Sequence, residues 1–245
     1  MQSLEVFKRM NSSELRGFLT GLILGDGTIN KGVHKRSFSI KSIDFSFIEY
    51  IDKCIKDTTN FKTQIKETPE HYSCGCFHKK AWELTIFAHP YFNKIYHYFY
   101  NDTRHRKIYS RTLSWLTPRG LANWYMSNGY ICLVGKTKGC IYNRRIDICT
   151  DRYYLEDIKL MQDVLKSKFN INTSLNKRGD KYRIRISQTS YFDFINLISP
   201  YILPSMSYKL YLGYNSKQQW MTDDFWEFQQ SLISAAPLNK GEDIV

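Results

Sequence analysis

The sequence predicts an α+β fold built from two pseudo-symmetric repeats, each running helix, two strands, helix, two strands, helix. An internal repeat is the first observation behind this. Segment 17–29 reads GFLTGLILGDGTI and segment 120–131 reads GLANWYMSNGYI, which sets Asp26 and Asn128 102 residues apart. Tyr91-Phe92-Asn93-Lys94-Ile95 is echoed by Tyr191-Phe192-Asp193-Phe194-Ile195 at an offset of 100. Arg106-Lys107-Ile108 is echoed by Tyr208-Lys209-Leu210, with Lys107 and Lys209 again 102 apart. Three anchors in one order at nearly constant offset mark a duplication. The second observation is that both copies alternate between helical and strand-like apolar periodicity in the same sequence of elements.

The elements follow in order. Ser12-Ser13-Glu14 opens the first helix, where a serine can cap the free amides. RSFSIKS (36–42), FKTQIKE (61–67) and AWELTIF (81–87) alternate as strands, with helical stretches at 44–57 and 90–100. In the second half RRIDICT (144–150), NTSLNKR (172–178) and YRIRISQ (182–188) are the strands, with helices at 153–169 and 190–200. Residues 222–235 read as a last amphipathic helix and 236–245 as a flexible tail. The repeats are set at 1–116 and 117–235, giving two antiparallel sheets packed against helices.

Composition narrows the partner. Lys and Arg total 35 against 23 Asp and Glu, a formal charge of +12. That excess suits a polyanion, because neutralised phosphates release condensed counterions. A membrane surface would also attract such a chain, but no apolar run approaches the ~20 residues needed to cross a bilayer. The first residues lack the apolar core of a secretory signal. Six cysteines in a chain of this length do not make a disulfide scaffold, so a reducing compartment is expected. His71, Cys74, Cys76 and His78 are possible zinc ligands, but Cys-x-Cys is not the usual knuckle and no second pair follows. A cysteine-bearing loop is the expectation there.

Strand parity then sorts the basic residues. In 181–187, Tyr182, Ile184 and Ile186 point one way and Lys181, Arg183, Arg185 and Ser187 the other. Lys62, Gln64 and Lys66 oppose Ile65, and Ser37, Ser39 and Lys41 oppose Phe38 and Ile40. A sheet with one apolar face and one face of Arg, Lys, Gln and Ser suits the major groove of duplex DNA. An ordinary solvated face also alternates, but repetition of Lys, Arg and Gln over several strands favours nucleic acid. Basic turns add Lys31, His34, Lys35 and Arg36 in one half, and Lys136, Lys138, Arg144 and Arg145 in the other. Lys177 and Arg178 form a third.

GFLTGLILGDGTI, LTPRGLANWYMSNGY and SPYILPSMSYKL resemble the LAGLIDADG family, specifically the monomeric homing endonucleases of yeast mitochondrial introns, over about residues 12–213. The resemblance implies two motif helices packed side by side through glycines, with their C-terminal ends under a DNA-binding saddle. Asp26 matches the acid of the first motif. The resemblance further implies Asp26, Asn128 and the neighbouring positions Gly25 and Ser127 as holders of Mg²⁺ or Mn²⁺, with Ca²⁺ as a non-cleaving substitute. Lys107 and Lys209 match the symmetric basic residues; Arg106 could fill the first of these roles, but the repeat favours Lys107.

Asn128 departs from the pattern, which puts an acid there. Asn keeps an oxygen ligand and loses the charge, so metal binding should weaken. Three readings stay open: a change made to keep DNA uncut, a natural loss of cutting, or an RNA maturase for which cutting is dispensable. The expected partner is therefore a long duplex DNA target, with host intron RNA as the alternative partner. A LAGLIDADG-derived transcription regulator needs a helix-turn-helix domain, for which the segment after residue 213 leaves little room. The Ile-, Asn-, Lys- and Tyr-rich composition fits an organellar, mitochondrial reading frame. A monomer is expected, because the duplication already supplies a pseudo-twofold axis.

Overall fold

The computed structural model describes residues 9–31, 36–73, 75–100, 106–134 and 143–210, and for 31, 132–134, 143 and 144 the backbone alone. The first helix, α1, spans Ser12–Leu24. Its cap is Asn11 rather than a serine: Asn11 Oδ1 accepts from the amides of Ser13 and Glu14, and Glu14 returns a bond to the Asn11 amide, a closed capping box. Every residue from Leu15 to Leu24 except Arg16 is buried, so α1 is a central helix rather than a surface one.

From there the chain runs β1 (Thr28–Lys31), β2 (Arg36–Ser42), α2 (Phe45–Thr58), β3 (Thr63–Thr68), a hairpin β4 (His71–Ser73) and β5 (Cys76–His78), β6 (Ala81–Ile86) and α3 (Pro90–Phe99). The first half ends on a short α4 (Ser110–Leu113). The second half runs α5 (Pro118–Asn128), β7 (Gly129–Val134), β8 (Asn143–Ile148), α6 (Leu155–Phe169), β9 (Thr173–Arg178), β10 (Lys181–Ile186) and α7 (Tyr191–Ile198). Two 3₁₀ turns, Ser199–Tyr201 and Pro204–Lys209, close the described chain. Each half contributes one antiparallel four-stranded sheet, in the orders β1-β2-β6-β3 and β7-β8-β10-β9. The strand order is the same in both, as a duplication requires.

The cysteine-bearing stretch is the part that elaborates on expectation. It extends β3 and β6 into a separate hairpin, turning at Gly75 with φ 76°. His71 and His78 are register partners there, their rings stacked 4.9 Å apart, and both are exposed with Cys76. No group of three or more His, Cys, Asp or Glu that could hold a metal occurs among the described residues. Cys74, Lys35, Lys136 and Lys138, and the expected helix and tail after residue 221, lie outside those residues.

A single apolar core runs through both halves, from Phe18, Leu22 and Phe38 across Trp124 and Tyr125 to Ile184 and Phe194. At its centre α1 and α5 cross with almost nothing between them. A Cβ placed on Gly21 would lie 1.8 Å from the Gly120 carbonyl oxygen, and one on Gly120 would lie 2.1 Å from that of Gly17. Only glycine allows backbones this close. No helix among the described residues is long and apolar enough to cross a membrane.

Candidate active site and nucleic-acid face

The crossing of α1 and α5 brings the C-terminal ends of both helices to one place. A Cβ on Gly25 would fall 2.7 Å from the side chain of Ser127 and 3.1 Å from Asn128 Oδ1. Gly25, Ser127 and Asn128 thus converge, with Asp26 following Gly25 in the chain. Asp26 is half exposed, and its Oδ1 accepts from Arg152 Nη2 at 2.7 Å. Asn128 Oδ1 is buried and has no hydrogen-bond partner. A buried orphan carbonyl oxygen costs roughly 1–3 kcal/mol, so its persistence at the joined helix ends marks a position where a ligand would satisfy it. Ser127 does not point there with its hydroxyl, which donates to the Asn123 carbonyl at 3.1 Å.

Each helix end also carries a cation, where the unpaired carbonyls attract positive charge. At α5 this is Lys209, whose ammonium donates to the Met126 carbonyl. Tyr125 fixes the lysine's backbone by donating to its carbonyl at 2.6 Å. Burial pulls the Lys209 pKa down to about 8, against the opposing pull of the Asp26 charge. At α1 the cation is Arg106, not Lys107. Arg106 Nη1 donates to the carbonyls of Ile23 and Gly25 at 2.5 and 2.9 Å, and Nη2 to the Gly27 carbonyl at 2.6 Å and Thr28 Oγ1 at 3.0 Å. Lys107 is exposed and turned away, 5.4 Å over the Tyr109 ring. The equivalence of Lys107 and Lys209 read from the repeat is therefore corrected by one residue. Tyr153 completes the cluster by donating to the Leu24 carbonyl at 2.9 Å.

Truncating these two neighbours should separate their roles. Arg106→Ala strips the hydrogen bonds that join the end of α1 to the turn and the start of β1, and leaves the carbonyls of Ile23, Gly25 and Gly27 unmet, so a loss of roughly 2–4 kcal/mol is expected. Lys107→Ala should stay within about 0.5 kcal/mol. Chemical denaturation of both variants checks this; equal effects would mean that the assignment of Arg106 is wrong.

The sheet faces follow from register, because directly opposed residues share a side. In the N-terminal sheet Thr28 pairs with Ser39, Ser39 with Thr85, and Thr85 with Gln64, while Lys41 and Lys66 both pair with Glu83. These form the side opposite Phe38, Ile40 and Leu84, and Lys62 continues it before β3. Ser39, Lys41, Lys62, Gln64 and Lys66 are thus brought together. Arg36 is not: it has the parity of Phe38 and stacks 3.9 Å over the Tyr96 ring of α3. Lys31 is its register partner.

In the C-terminal sheet Tyr130 pairs with Asp147, Asp147 with Arg185, Arg183 with Asn176, and Lys181 with Arg178. Arg145, Arg178, Lys181, Arg183 and Arg185 share this side. Lys177 pairs with Tyr182 and so belongs to the other. Arg144 pairs with Leu133, its side chain lying outside the described residues. Arg183 is not a free cation: its Nε and Nη2 bind Asp151 at 2.8 and 2.5 Å. Asp147 and Asp151 were not singled out from sequence, although parity alone puts Asp147 among the arginines.

Against known proteins, the chain matches the LAGLIDADG DNA endonuclease family over residues 16–194. Probable intron-encoded endonuclease 1 of Wickerhamomyces canadensis is 30% identical over 197 residues, 78% of this chain and 81% of that protein. Cytochrome b mRNA maturase bI2 of Debaryomyces hansenii is 24% identical over 211 residues, 83% of this chain and 76% of that protein. Among solved structures, the homing endonuclease I-WcaI bound to its DNA recognition sequence superposes with a TM-score of 0.68 at 26% identity, covering 81% of this chain and 86% of the other.

Proposed function

The chain belongs to the LAGLIDADG DNA endonuclease family, and from that premise we propose that it is a site-specific, metal-dependent double-strand endonuclease acting at the joined ends of α1 and α5. The observation that carries this is the buried, unpartnered Asn128 oxygen packed against Gly25, the residue before Asp26, in a chain whose two sheets each bear basic side chains on the side away from the core. The donor set is all oxygen, which fits a hard divalent cation such as Mg²⁺, Mn²⁺ or Ca²⁺. Asp26 and Asn128 would hold it, with Gly25 and Ser127 adjoining. Bound there, the ion would stabilise charge on the attacking and leaving oxygens of a phosphodiester.

The remaining chemistry is the protein's own. Lys209, held at the end of α5, offers a compact charge whose burial brings its pKa down to about 8, and it would act on the phosphate bound there. Arg106 holds the end of α1 and with it the direction of Asp26. The exposed lysines and arginines of both sheets would grip the DNA backbone and base edges. The pseudo-twofold is internal, so the working unit is a monomer made as two repeats, 1–116 and 117–235, and expression from an organellar intron is the setting proposed for it.

A second reading, an RNA maturase, draws on the neutral Asn128 and on the similarity to a protein named as a maturase. Cleavage of a randomised duplex library with Mg²⁺ or Mn²⁺, run beside Asn128→Asp, distinguishes them. Cutting by either form supports the endonuclease; tight selection of intron RNA with no specific duplex bound by either form supports the maturase.

A further inference from the structure

The two outward sheet faces do not carry the same chemistry. In the C-terminal sheet, Asp147 lies on the outward side yet its carboxylate has no exposed surface. It accepts from Tyr130 at 3.0 Å, from Asn176 at 2.8 Å and from Arg185 Nε at 2.8 Å, with Arg145 Nε 3.7 Å away. One carboxylate thereby ties together β7, β8, β10 and β9. Burial alone would raise its pKa, but the bonds from Arg185 and Tyr130 and the neighbouring charges of Arg185 and Arg145 hold it below the usual carboxylate range. Asp151 does the same work for Arg183.

A guanidinium held along its Nε edge has its plane and rotamer set before DNA arrives. That is the condition for bidentate recognition of guanine O6 and N7, and it removes the ordering cost that a loose arginine meets on binding. Asp147 itself cannot reach a base. The equivalent side of the N-terminal sheet has no arginine among the described residues. It presents Thr28, Asn30, Ser39, Gln64 and Thr85, together with Lys62 and, on either side of Glu83, Lys41 and Lys66, whose flexible ammonium groups are point charges without the fixed fork of a held guanidinium. Amide side chains match adenine rather than guanine.

Resting on the endonuclease reading, we propose that the DNA target is compositionally polar: guanines concentrate in the half-site under the C-terminal sheet, read by Arg185 and Arg183 with Asp147 and Asp151 as their respective positioning residues, and A·T pairs in the half under the N-terminal sheet, read by Asn30 and Gln64.

Selection of bound duplexes from a randomised library with Ca²⁺ in place of Mg²⁺, followed by sequencing, tests this. The selected sites should be guanine-rich in one half only. Arg185→Ala and Asp147→Asn should each flatten guanine preference in that half by about tenfold or more, while Gln64→Ala alters only the other half. A merely structural role for Asp147 would weaken both halves alike, and thermal melting identifies a variant that has lost its fold. In that event Arg185→Ala, at a side chain 27% exposed, carries the test. Sites with equal guanine content in both halves, or an undiminished preference in Arg185→Ala, overturn the proposal while leaving the endonuclease in place. Failure to select any duplex overturns both.

Discussion

Valine at Gly21 is expected to unfold the protein at ordinary temperatures or to lower its melting point by about 10 °C or more. The first added carbon would sit 1.8 Å from the Gly120 carbonyl oxygen and 2.4 Å from its carbon. Overpacking a core usually costs about 1–3 kcal/mol because flexible side chains give way. Here the obstacle is the backbone of the facing helix, so α1 and α5 would have to part along their length. For a chain of this size each kcal/mol moves the melting point by about 2–4 °C, and a loss of ~4 kcal/mol is the lower end of what such a separation implies. Asparagine at Gly75 is the control, since that turn has φ 76° with nothing within 4 Å and asparagine tolerates the left-handed region. Calorimetry on both variants decides the matter. A Gly21→Val protein melting with the parent would mean that the two helices do not meet as described.

The same crossing explains what sequence could show. Asp26 and Asn128 were legible because a glycine-bearing apolar helix ending in small-polar-Gly occurs twice, and a repeat fixes which positions correspond. Lys209 was legible for that reason as well. Its counterpart was not, because equivalence was carried by counting, and the link between α3 and α4 puts Arg106 where the count puts Lys107. Only the carbonyls of Ile23, Gly25 and Gly27 show which of the two reaches α1.

Parity within a strand was a stronger guide than clusters of charge. It grouped Gln64 with Lys66 in one sheet and Arg183 with Arg185 in the other, whereas grouping adjacent basic residues joined Arg36 and Lys177 to faces that their neighbours do not share. The hairpin β4–β5 escaped notice because its strands have three residues each and alternate no apolar face. Strand parity alone puts Asp147 among the arginines, but the sequence does not single it out. What could not be seen was that four strands converge on it, since its partners are 17 to 38 residues away in sequence.

The largest functional effect is expected from Asp26→Asn. It removes the carboxylate at the joined helix ends and leaves two neutral amides, so charge stabilisation of the reacting phosphate falls by several kcal/mol and cleavage by about 10³-fold or more. The fold should be indifferent, because the ion pair with Arg152 is exposed on both sides, 42% and 44%, and such pairs contribute about 0–1 kcal/mol. DNA binding should hold or tighten, since a negative charge under the duplex is gone and Arg152 is released toward phosphate. Moving the carboxylate instead, in the double variant Asp26→Asn with Asn128→Asp, asks whether either helix end can carry it. The second end is the more enclosed, and a charge beside the buried Asn128 oxygen would be costly without a cation. The double variant should therefore melt lower than the parent in chelator and recover with Mn²⁺, as ligand linkage requires. Single-turnover cleavage of the selected duplex with all three proteins reads the outcome. Undiminished cutting by Asp26→Asn would move the reaction away from the helix ends altogether; loss in the single variant with recovery in the double would fix it there.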